Sequence, residues 1–127
     1  MKKNQITILY VDDEEINLLV FEKNFERKFS ILTATSGQEG LTKLEQHGDE
    51  IDVVVSDMKM PQMNGVEFIR SARESNPDIV YFILSGFQYN EEIDEAVKNG
   101  NVQQFFMKPM NMEEITNVIE KTTNNSL

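Results

Sequence analysis

Polar side chains with complementary chemistry follow four of the short apolar segments in this sequence. Asp12 and Asp13 come after the first segment, Asp57 after the third, Ser85 after the fourth and Lys108 after the fifth. Three carboxylates held close together repel one another unless a cation neutralises them. An all-oxygen site with room for water suits Mg2+, which also binds phosphate oxygens.

These residue types form a complete set for accepting a phosphoryl group on an aspartate. Asp57 supplies a carboxylate nucleophile that can form an aspartyl phosphate. The Lys108 ammonium can bind one phosphoryl oxygen, and the Ser85 hydroxyl can donate a hydrogen bond to another. In such a transfer the protein mainly positions groups and stabilises charge. The sequence therefore predicts phosphorylation of Asp57, with Mg2+ as the cofactor.

Each of these features also has an ordinary structural interpretation. Two acids ahead of a helix, as at Asp12 and Asp13, are typical of a helix N-terminus. Ser85 followed by glycine is a common turn dipeptide, and a lysine before proline is usually a solvated loop residue. Their joint position favours a functional site, because ligands of open parallel sheets bind beyond the carboxyl ends of the strands.

The segments that must position these residues alternate between two patterns. Three segments are short, apolar and rich in β-branched or aromatic residues, which is typical of strands buried on both faces. Two weaker segments resemble them. The five predicted strands span residues 6–11, 30–34, 51–56, 79–84 and 103–107.

Segments with helical spacing separate these strands. The first predicted helix spans about residues 14–28 and has a broad apolar surface, which includes Ile16, Leu19, Val20 and Phe25. Each later helix places three apolar or small residues on one face: Gly40, Leu41 and Leu44; Phe68, Ile69 and Ala72; Ile93, Ala96 and Val97; Ile115, Val118 and Ile119. Strict alternation predicts one α/β domain over residues 1–127, with helices on both faces of a parallel sheet and a frayed end at 122–127.

Composition excludes several classes of protein. The chain has 127 residues, no cysteine and a formal net charge of −10, which opposes binding to nucleic acid or anionic lipid. No apolar run approaches the roughly 20 residues of a membrane-spanning helix. The absence of cysteine excludes disulfides and is compatible with a reducing compartment. We expect a cytoplasmic protein that binds neither nucleic acid nor membrane directly.

In this order the motifs resemble the response-regulator receiver domains of two-component and phosphorelay signalling. The similarity covers essentially the whole chain and is carried by residues 8–14 (ILYVDDE), 54–65 (VVSDMKMPQMNG), 83–86 (ILSG) and 105–109 (FFMKP). It implies a doubly wound, flavodoxin-like (βα)5 fold, with a five-stranded parallel sheet in the order 2-1-3-4-5.

The resemblance implies a role for each site residue. Asp57 is the phosphoacceptor, Asp13 and Asp57 bind Mg2+ directly, and Asp12 binds it mainly through water. Lys59 contributes its backbone carbonyl to the metal. The remaining roles concern the switch: Ser85 moves toward the phosphoryl group held by Lys108, Phe105 rotates with Ser85, and the bond before Pro109 is cis.

The resemblance also implies partners. A sensor histidine kinase or a histidine phosphotransfer protein donates the phosphoryl group from phosphohistidine, and a downstream effector or output domain reads the face made by the fourth helix, fifth strand and fifth helix. Gln103 and Gln104 replace an acidic pair that supports dimers in the DNA-binding subclass, so that dimer is not predicted. We expect a monomer or a phosphorylation-dependent dimer, either as a stand-alone receiver or as part of a longer protein.

Two further residues bear on the lifetime of the phosphorylated state. Lys59 lies two residues beyond the acceptor, and Phe87 lies two residues beyond Ser85. A long stem and a bulky ring could obstruct an attacking water, which predicts slow hydrolysis. A plain surface position explains both residues equally well.

Three other functions fit parts of the pattern. A haloacid-dehalogenase-type phosphatase, with an aspartate nucleophile, needs a second acid where this chain has Lys59, and a cap. A flavodoxin-type flavin carrier needs a neutral phosphate-binding loop after the first strand, where this chain has Asp12 and Asp13. A receiver-like scaffold that is not phosphorylated has no use for the intact acidic set. We expect a protein that promotes its own phosphorylation and dephosphorylation, and not a turnover enzyme.

Overall fold

Five strands alternate with five helices in the computed structural model, which describes residues 5–86 and 89–124. The elements are β1 (Thr7–Val11), α1 (Glu15–Phe25), β2 (Ser30–Ala34), α2 (Gly37–His47), β3 (Val53–Ser56), α3 (Gly65–Ser75), β4 (Val80–Ser85), α4 (Glu91–Lys98), β5 (Gln104–Met107) and α5 (Met112–Asn124). All neighbouring strands are parallel, in the order β2-β1-β3-β4-β5. The predicted fold class and strand order are confirmed.

The central strands are buried on both faces, so their side chains alternate between two core clusters. Leu9 and Val11 of β1 point to one face, where they pack with side chains from α2, α3 and α4. Ile8 and Tyr10 point to the opposite face, where they pack with side chains from α1 and α5. Because both faces are covered, these strands read as nearly continuous apolar runs in the sequence.

Four of the five helices begin at side chains that cap free backbone amides. Ser36, Asn64 and Asn90 each accept a hydrogen bond from the backbone amide three residues later, at the starts of α2, α3 and α4. Asn111 accepts in the same way from the Glu114 amide at the start of α5. Such caps stabilise a helix by about 1 kcal/mol each. They also fix where each loop at the carboxyl edge of the sheet ends.

The buried face of α1 differs from the sequence-based expectation. Among the four apolar residues predicted to share its surface, only Phe25 is buried, whereas Ile16, Leu19 and Val20 are 62%, 50% and 43% exposed. The buried stripe consists of Leu18, Phe21 and Phe25, spaced three and four residues apart. Since apolar residues occur on both sides of this helix, their spacing alone did not identify the side that packs on the sheet.

The last helix extends further than expected. It continues to Asn124, beyond the predicted start of the frayed end at residue 122. The Thr122 hydroxyl donates to the Val118 carbonyl at 2.9 Å, and the Thr123 hydroxyl donates to the Ile119 carbonyl at 2.8 Å. Over the described ranges, no helix is both long and apolar enough to cross a bilayer.

The first residue of α3 is in tight contact with the loop that follows β3. The Gly65 amide donates to the Met58 carbonyl at 2.8 Å. A Cβ atom at Gly65 would overlap the Asp57 carbonyl oxygen and lie 3.1 Å from the Met58 Cα. Both neighbours are backbone atoms, so they cannot move aside by changing a rotamer. A glycine is therefore required here to bring α3 against the acceptor loop.

We predict that Gly65→Ala destabilises the fold, because its methyl group must displace the backbone of the acceptor loop. The expected loss in the free energy of unfolding is about 1–3 kcal/mol, as for other overpacked sites. Chemical denaturation measures this loss. The matched control is Gly86→Ala, whose Cβ would have no heavy atom within 4 Å; it should change stability by less than about 0.5 kcal/mol. Equal effects of the two substitutions would contradict the prediction.

Candidate functional site

The chemically active side chains meet at the carboxyl edge of the sheet. Asp12 follows β1, Asp57 follows β3, Ser85 ends β4 and Lys108 follows β5. Asp12, Asp13 and Asp57 each offer a carboxylate oxygen, and these three oxygens lie within 4.8 Å of one another. The predicted convergence of three acids, one hydroxyl and one ammonium group is therefore present in the structure.

Backbone hydrogen bonds continue the sheet past the strand ends and fix this edge. The Asp57 amide donates to the Val11 carbonyl at 2.8 Å, and the Asp12 amide donates to the Ala34 carbonyl at 3.1 Å. The Lys108 amide donates to the Ser85 carbonyl at 2.9 Å. Because each bond joins neighbouring strands, the site residues are positioned by the sheet and not by flexible loops.

Asp12 is completely buried, and both of its carboxylate oxygens are hydrogen-bonded. Oδ1 accepts from the Glu14 amide at 3.0 Å. Oδ2 accepts from the Tyr10 hydroxyl at 2.8 Å and from Lys108 Nζ at 3.1 Å. These donors compensate for the loss of hydration, which makes an unpaired buried carboxylate costly.

Asp57 is also buried, but its carboxylate lies farther from the Lys108 ammonium group than that of Asp12 does. One oxygen accepts from the Met58 amide at 2.8 Å, and the other lies 3.9 Å from Lys108 Nζ. Burial raises the pKa of Asp57 above its ordinary value. The charge of Asp12 acts in the same direction, whereas Lys108, the Met58 amide and the Ser85 hydroxyl oppose the shift. The site therefore destabilises the charged form of the Asp57 carboxyl relative to its protonated form.

Tyr10 is a site residue that the sequence did not reveal. Its ring is buried on the α1 side of the sheet, and its hydroxyl reaches Asp12 because residues two apart in a strand point the same way. Burial and the charge of Asp12 raise the pKa of the Tyr10 hydroxyl well above its ordinary value, so the group stays protonated and acts as a donor. In the sequence, this contact was indicated only by the spacing of two residues between Tyr10 and Asp12.

The other predicted site residues have the following positions. Asp13 and Lys59 are exposed. Phe105 is half-buried, and its ring meets Tyr89 edge to face, with centroids 5.5 Å apart and an interplanar angle of 78°. The Lys108–Pro109 peptide bond is cis. Phe87 lies outside the described residues, so its predicted place along the path of an attacking water stays a prediction.

The loop after the acceptor also contacts α4. Asn64, which caps α3, donates through its side-chain amide to the two carboxylate oxygens of Glu92, at 3.2 and 3.4 Å. Within the same loop Gln62 adopts a left-handed backbone conformation, with φ of 69°. The loop that begins at Asp57 is thereby in hydrogen-bonding contact with the helix beside β5.

Comparison with known proteins identifies the family. The sequence profile described as "Response regulator receiver domain" matches residues 8–120, which is most of the chain. The chain belongs to the response regulator receiver domain family. Receiver domains of this family act in two-component signalling and bind Mg2+ at an acidic pocket of the kind formed here by Asp12, Asp13 and Asp57.

Sequence relatives of this receiver domain are segments of larger proteins. The hydrogenase transcriptional regulatory protein HoxA of Cupriavidus necator is 32% identical over 109 residues, which cover 86% of this chain and 22% of HoxA. The sensor kinase CckA of Brucella abortus is 29% identical, over 91% of this chain and 12% of CckA. The chain thus spans about a fifth or less of these two curated relatives.

Solved structures agree with this assignment. A receiver domain protein from Clostridium thermocellum is 30% identical and superposes with a TM-score of 0.83, covering 94% of this chain and 95% of that one. A structure described as adenylate cyclase from Rhodopirellula baltica is 34% identical, with a TM-score of 0.88 and coverage of 96% and 90%. The similarity therefore extends over the whole receiver fold.

We predict that Asp57→Asn stabilises the metal-free receiver domain at neutral pH. The folded-state pKa of Asp57 is raised, so its charged form costs the native state free energy above that pKa. Removing the charge should therefore raise the free energy of unfolding at pH 7. Denaturation in a chelating buffer measures this gain.

The pH dependence and a control make this test specific. The gain should shrink as the pH falls through the raised pKa of Asp57, because the wild-type carboxyl then becomes protonated as well. Saturating Mg2+ should also reduce it. Asp78→Asn, an exposed position between α3 and β4, should have little effect. A destabilised Asp57→Asn variant at neutral pH would refute the argument.

Proposed function

We propose that this receiver domain accepts a phosphoryl group on Asp57 from a phosphohistidine and responds by changing the face made by α4, β5 and α5. The donor is a sensor histidine kinase or a histidine phosphotransfer protein. The observation that carries the proposal is the position of the Asp57 carboxylate, which is clustered with the carboxylates of Asp12 and Asp13 and lies near Lys108 and Ser85.

The chemistry requires little from the protein except position and charge. An oxygen of Asp57 forms a bond to phosphorus as the phosphorus–nitrogen bond of the donor breaks, and the departing imidazole keeps the electron pair. The three aspartates and the Lys59 backbone carbonyl would hold Mg2+, which would supply positive charge to the phosphoryl oxygens. The three clustered carboxylates fit a hard divalent cation, because all of their ligand atoms are oxygens.

The new charge gives Lys108 a second partner. In the structure its ammonium group is nearer to Asp12, at 3.1 Å, than to Asp57, at 3.9 Å. A phosphoryl group adds about 1.5 to 2 negative charges by analogy with other phosphoresidues. We infer that Lys108 then turns toward it and that the buried Ser85 hydroxyl donates to a phosphoryl oxygen.

Movement of Ser85 is expected to reach the surface through Phe105. Phe105 is half-buried and packs against the core cluster under α4, in edge-to-face contact with the exposed Tyr89. Inward rotation of Phe105 would alter the contacts of Tyr89 and the surface of residues 90–101 and 111–121. We propose that an effector or output domain reads this surface, and that the chain acts in the cytoplasm as a monomer or as a dimer that forms on phosphorylation.

Two alternatives are less well supported. A scaffold that is not phosphorylated has no use for a buried Asp12 that is paired with Lys108 beside a second carboxylate. An aspartate-nucleophile phosphatase needs an acid two residues after the nucleophile, where Lys59 stands. Receiver domains generally act as signalling domains and not as enzymes. The net charge of −10 opposes direct binding to nucleic acid or to an anionic membrane.

We predict that incubation with acetyl phosphate and Mg2+ adds the mass of one phosphoryl group to the protein, because the site can accept the group from a small donor. Intact-mass spectrometry measures the addition. Chelation of Mg2+ should abolish it, and so should Asp57→Asn. Asp78→Asn should be phosphorylated like the wild type. A protein that gains no mass would support the scaffold, and sustained release of phosphate from p-nitrophenyl phosphate would support the phosphatase.

We predict that the double substitution Lys59→Asn with Phe87→Ala shortens the lifetime of the aspartyl phosphate. The proposed reason is that a long stem and a bulky ring hinder the approach of water, and smaller side chains admit it. Loss of the added mass over time, after removal of the donor, gives the hydrolysis rate. A double variant that decays no faster than the wild type would remove this proposal and leave the acceptor role of Asp57 intact.

A further inference from the structure

Two donors, the Tyr10 hydroxyl and the Lys108 ammonium group, share one oxygen of Asp12. The Tyr10 hydroxyl donates to Oδ2 at 2.8 Å, and Lys108 Nζ donates to the same oxygen at 3.1 Å. Asp12 is completely buried, so these donors replace hydration that its carboxylate has lost. Among the described residues, Lys108 would be the one remaining side-chain donor at Oδ2 if the Tyr10 hydroxyl were removed.

The two donors differ in their freedom to move. Tyr10 is held by packing, because its ring is 1% exposed and stacks on Phe21 of α1 with centroids 4.1 Å apart and an interplanar angle of 9°. Phe21 is in turn completely buried and packs against Phe25. Lys108 has a flexible stem and is 27% exposed, so its ammonium group can change partners while the Tyr10 hydroxyl stays in place.

We propose that Tyr10 is a positioning residue, which holds the Asp12 carboxylate in place and hydrogen-bonded while Lys108 leaves it for the phosphoryl group on Asp57. This inference rests on the proposed function. With the hydroxyl present, Lys108 departs from an oxygen that keeps a donor. Without it, departure leaves a buried anionic oxygen with no side-chain donor, and Lys108 is retained at Asp12. Tyr10 thus favours the phosphorylated arrangement without contacting the phosphoryl group.

The test compares two substitutions with the same chemistry. Tyr10→Phe removes the hydroxyl that donates to Asp12. Tyr81→Phe is the matched control, because Tyr81 is equally buried but its hydroxyl donates to the Asn76 carbonyl, at 2.9 Å, near the opposite edge of the sheet. The probe is beryllofluoride, which mimics a carboxyl-bound phosphoryl group, titrated by calorimetry at saturating Mg2+. Mg2+ alone is titrated separately.

Tyr10→Phe should weaken beryllofluoride binding by about tenfold or more, the change expected when a hydrogen bond to a charged group is lost. Its Mg2+ affinity should change less, because the metal alone does not require Lys108 to leave Asp12. Tyr81→Phe should bind both probes like the wild type. Unchanged beryllofluoride binding by Tyr10→Phe would overturn the inference, and so would an equal loss of affinity for Mg2+ or an equal loss in Tyr81→Phe.

A second measurement keeps the inference testable if Tyr10→Phe does not fold. The chain has three tyrosines and no tryptophan. A variant with Tyr81→Phe and Tyr89→Phe retains Tyr10 as the one tyrosine, so its near-ultraviolet absorbance reports on that hydroxyl. Departure of the Lys108 charge should shift this spectrum when beryllofluoride binds, and binding without a shift would overturn the inference. A wild-type protein that binds no beryllofluoride would instead overturn the proposed function, and this inference with it.

Discussion

Negative charge concentrated at the carboxyl edge of the sheet is the constraint on which this structure depends. Asp12 is completely buried and Asp57 nearly so, and both lie within reach of Lys108. A carboxylate at such a position is tolerated only when donors replace its lost hydration. The Glu14 amide, the Tyr10 hydroxyl and the Lys108 ammonium supply those donors for Asp12. The neutralisation of Asp57 is less complete, since Lys108 lies 3.9 Å from it and 3.1 Å from Asp12.

The sheet is what makes this concentration of charge possible. Asp12, Asp57 and Lys108 directly follow strands, and backbone hydrogen bonds between adjacent strands hold them at the edge. The two apolar cores, one on each face of the sheet, stabilise the packing of the strands. Folding free energy from buried apolar surface therefore offsets the repulsion among the carboxylates.

Much of this arrangement could be predicted from the sequence, because two regular patterns determine it. Apolar runs bounded by turn residues predicted all five strands to within two residues at each end. These include the two weaker segments, at 30–34 and 103–107. Parallel strands then bring their last residues to a common edge, so Asp57, Ser85 and Lys108 were expected to meet. The buried face of α1 was not predictable, since Leu18 and Leu19 are equally apolar and only packing distinguishes them. The role of Tyr10 was hidden for a similar reason: a tyrosine in a buried strand looks like core until the partner of its hydroxyl is known.

The close contact between Gly65 and the backbone of Asp57 has a consequence for how this protein can vary. The acceptor and the start of α3 are separated by a loop that turns through Gln62 in a left-handed conformation and is closed by the Gly65–Met58 hydrogen bond. Since both ends of that loop touch, its length cannot change by one residue without moving either the nucleophile or the helix. Residues 57–65 are therefore constrained to a fixed length. Chimeras between receivers should be joined well outside residues 57–65, and insertions that add new surface loops must be accommodated elsewhere in the chain.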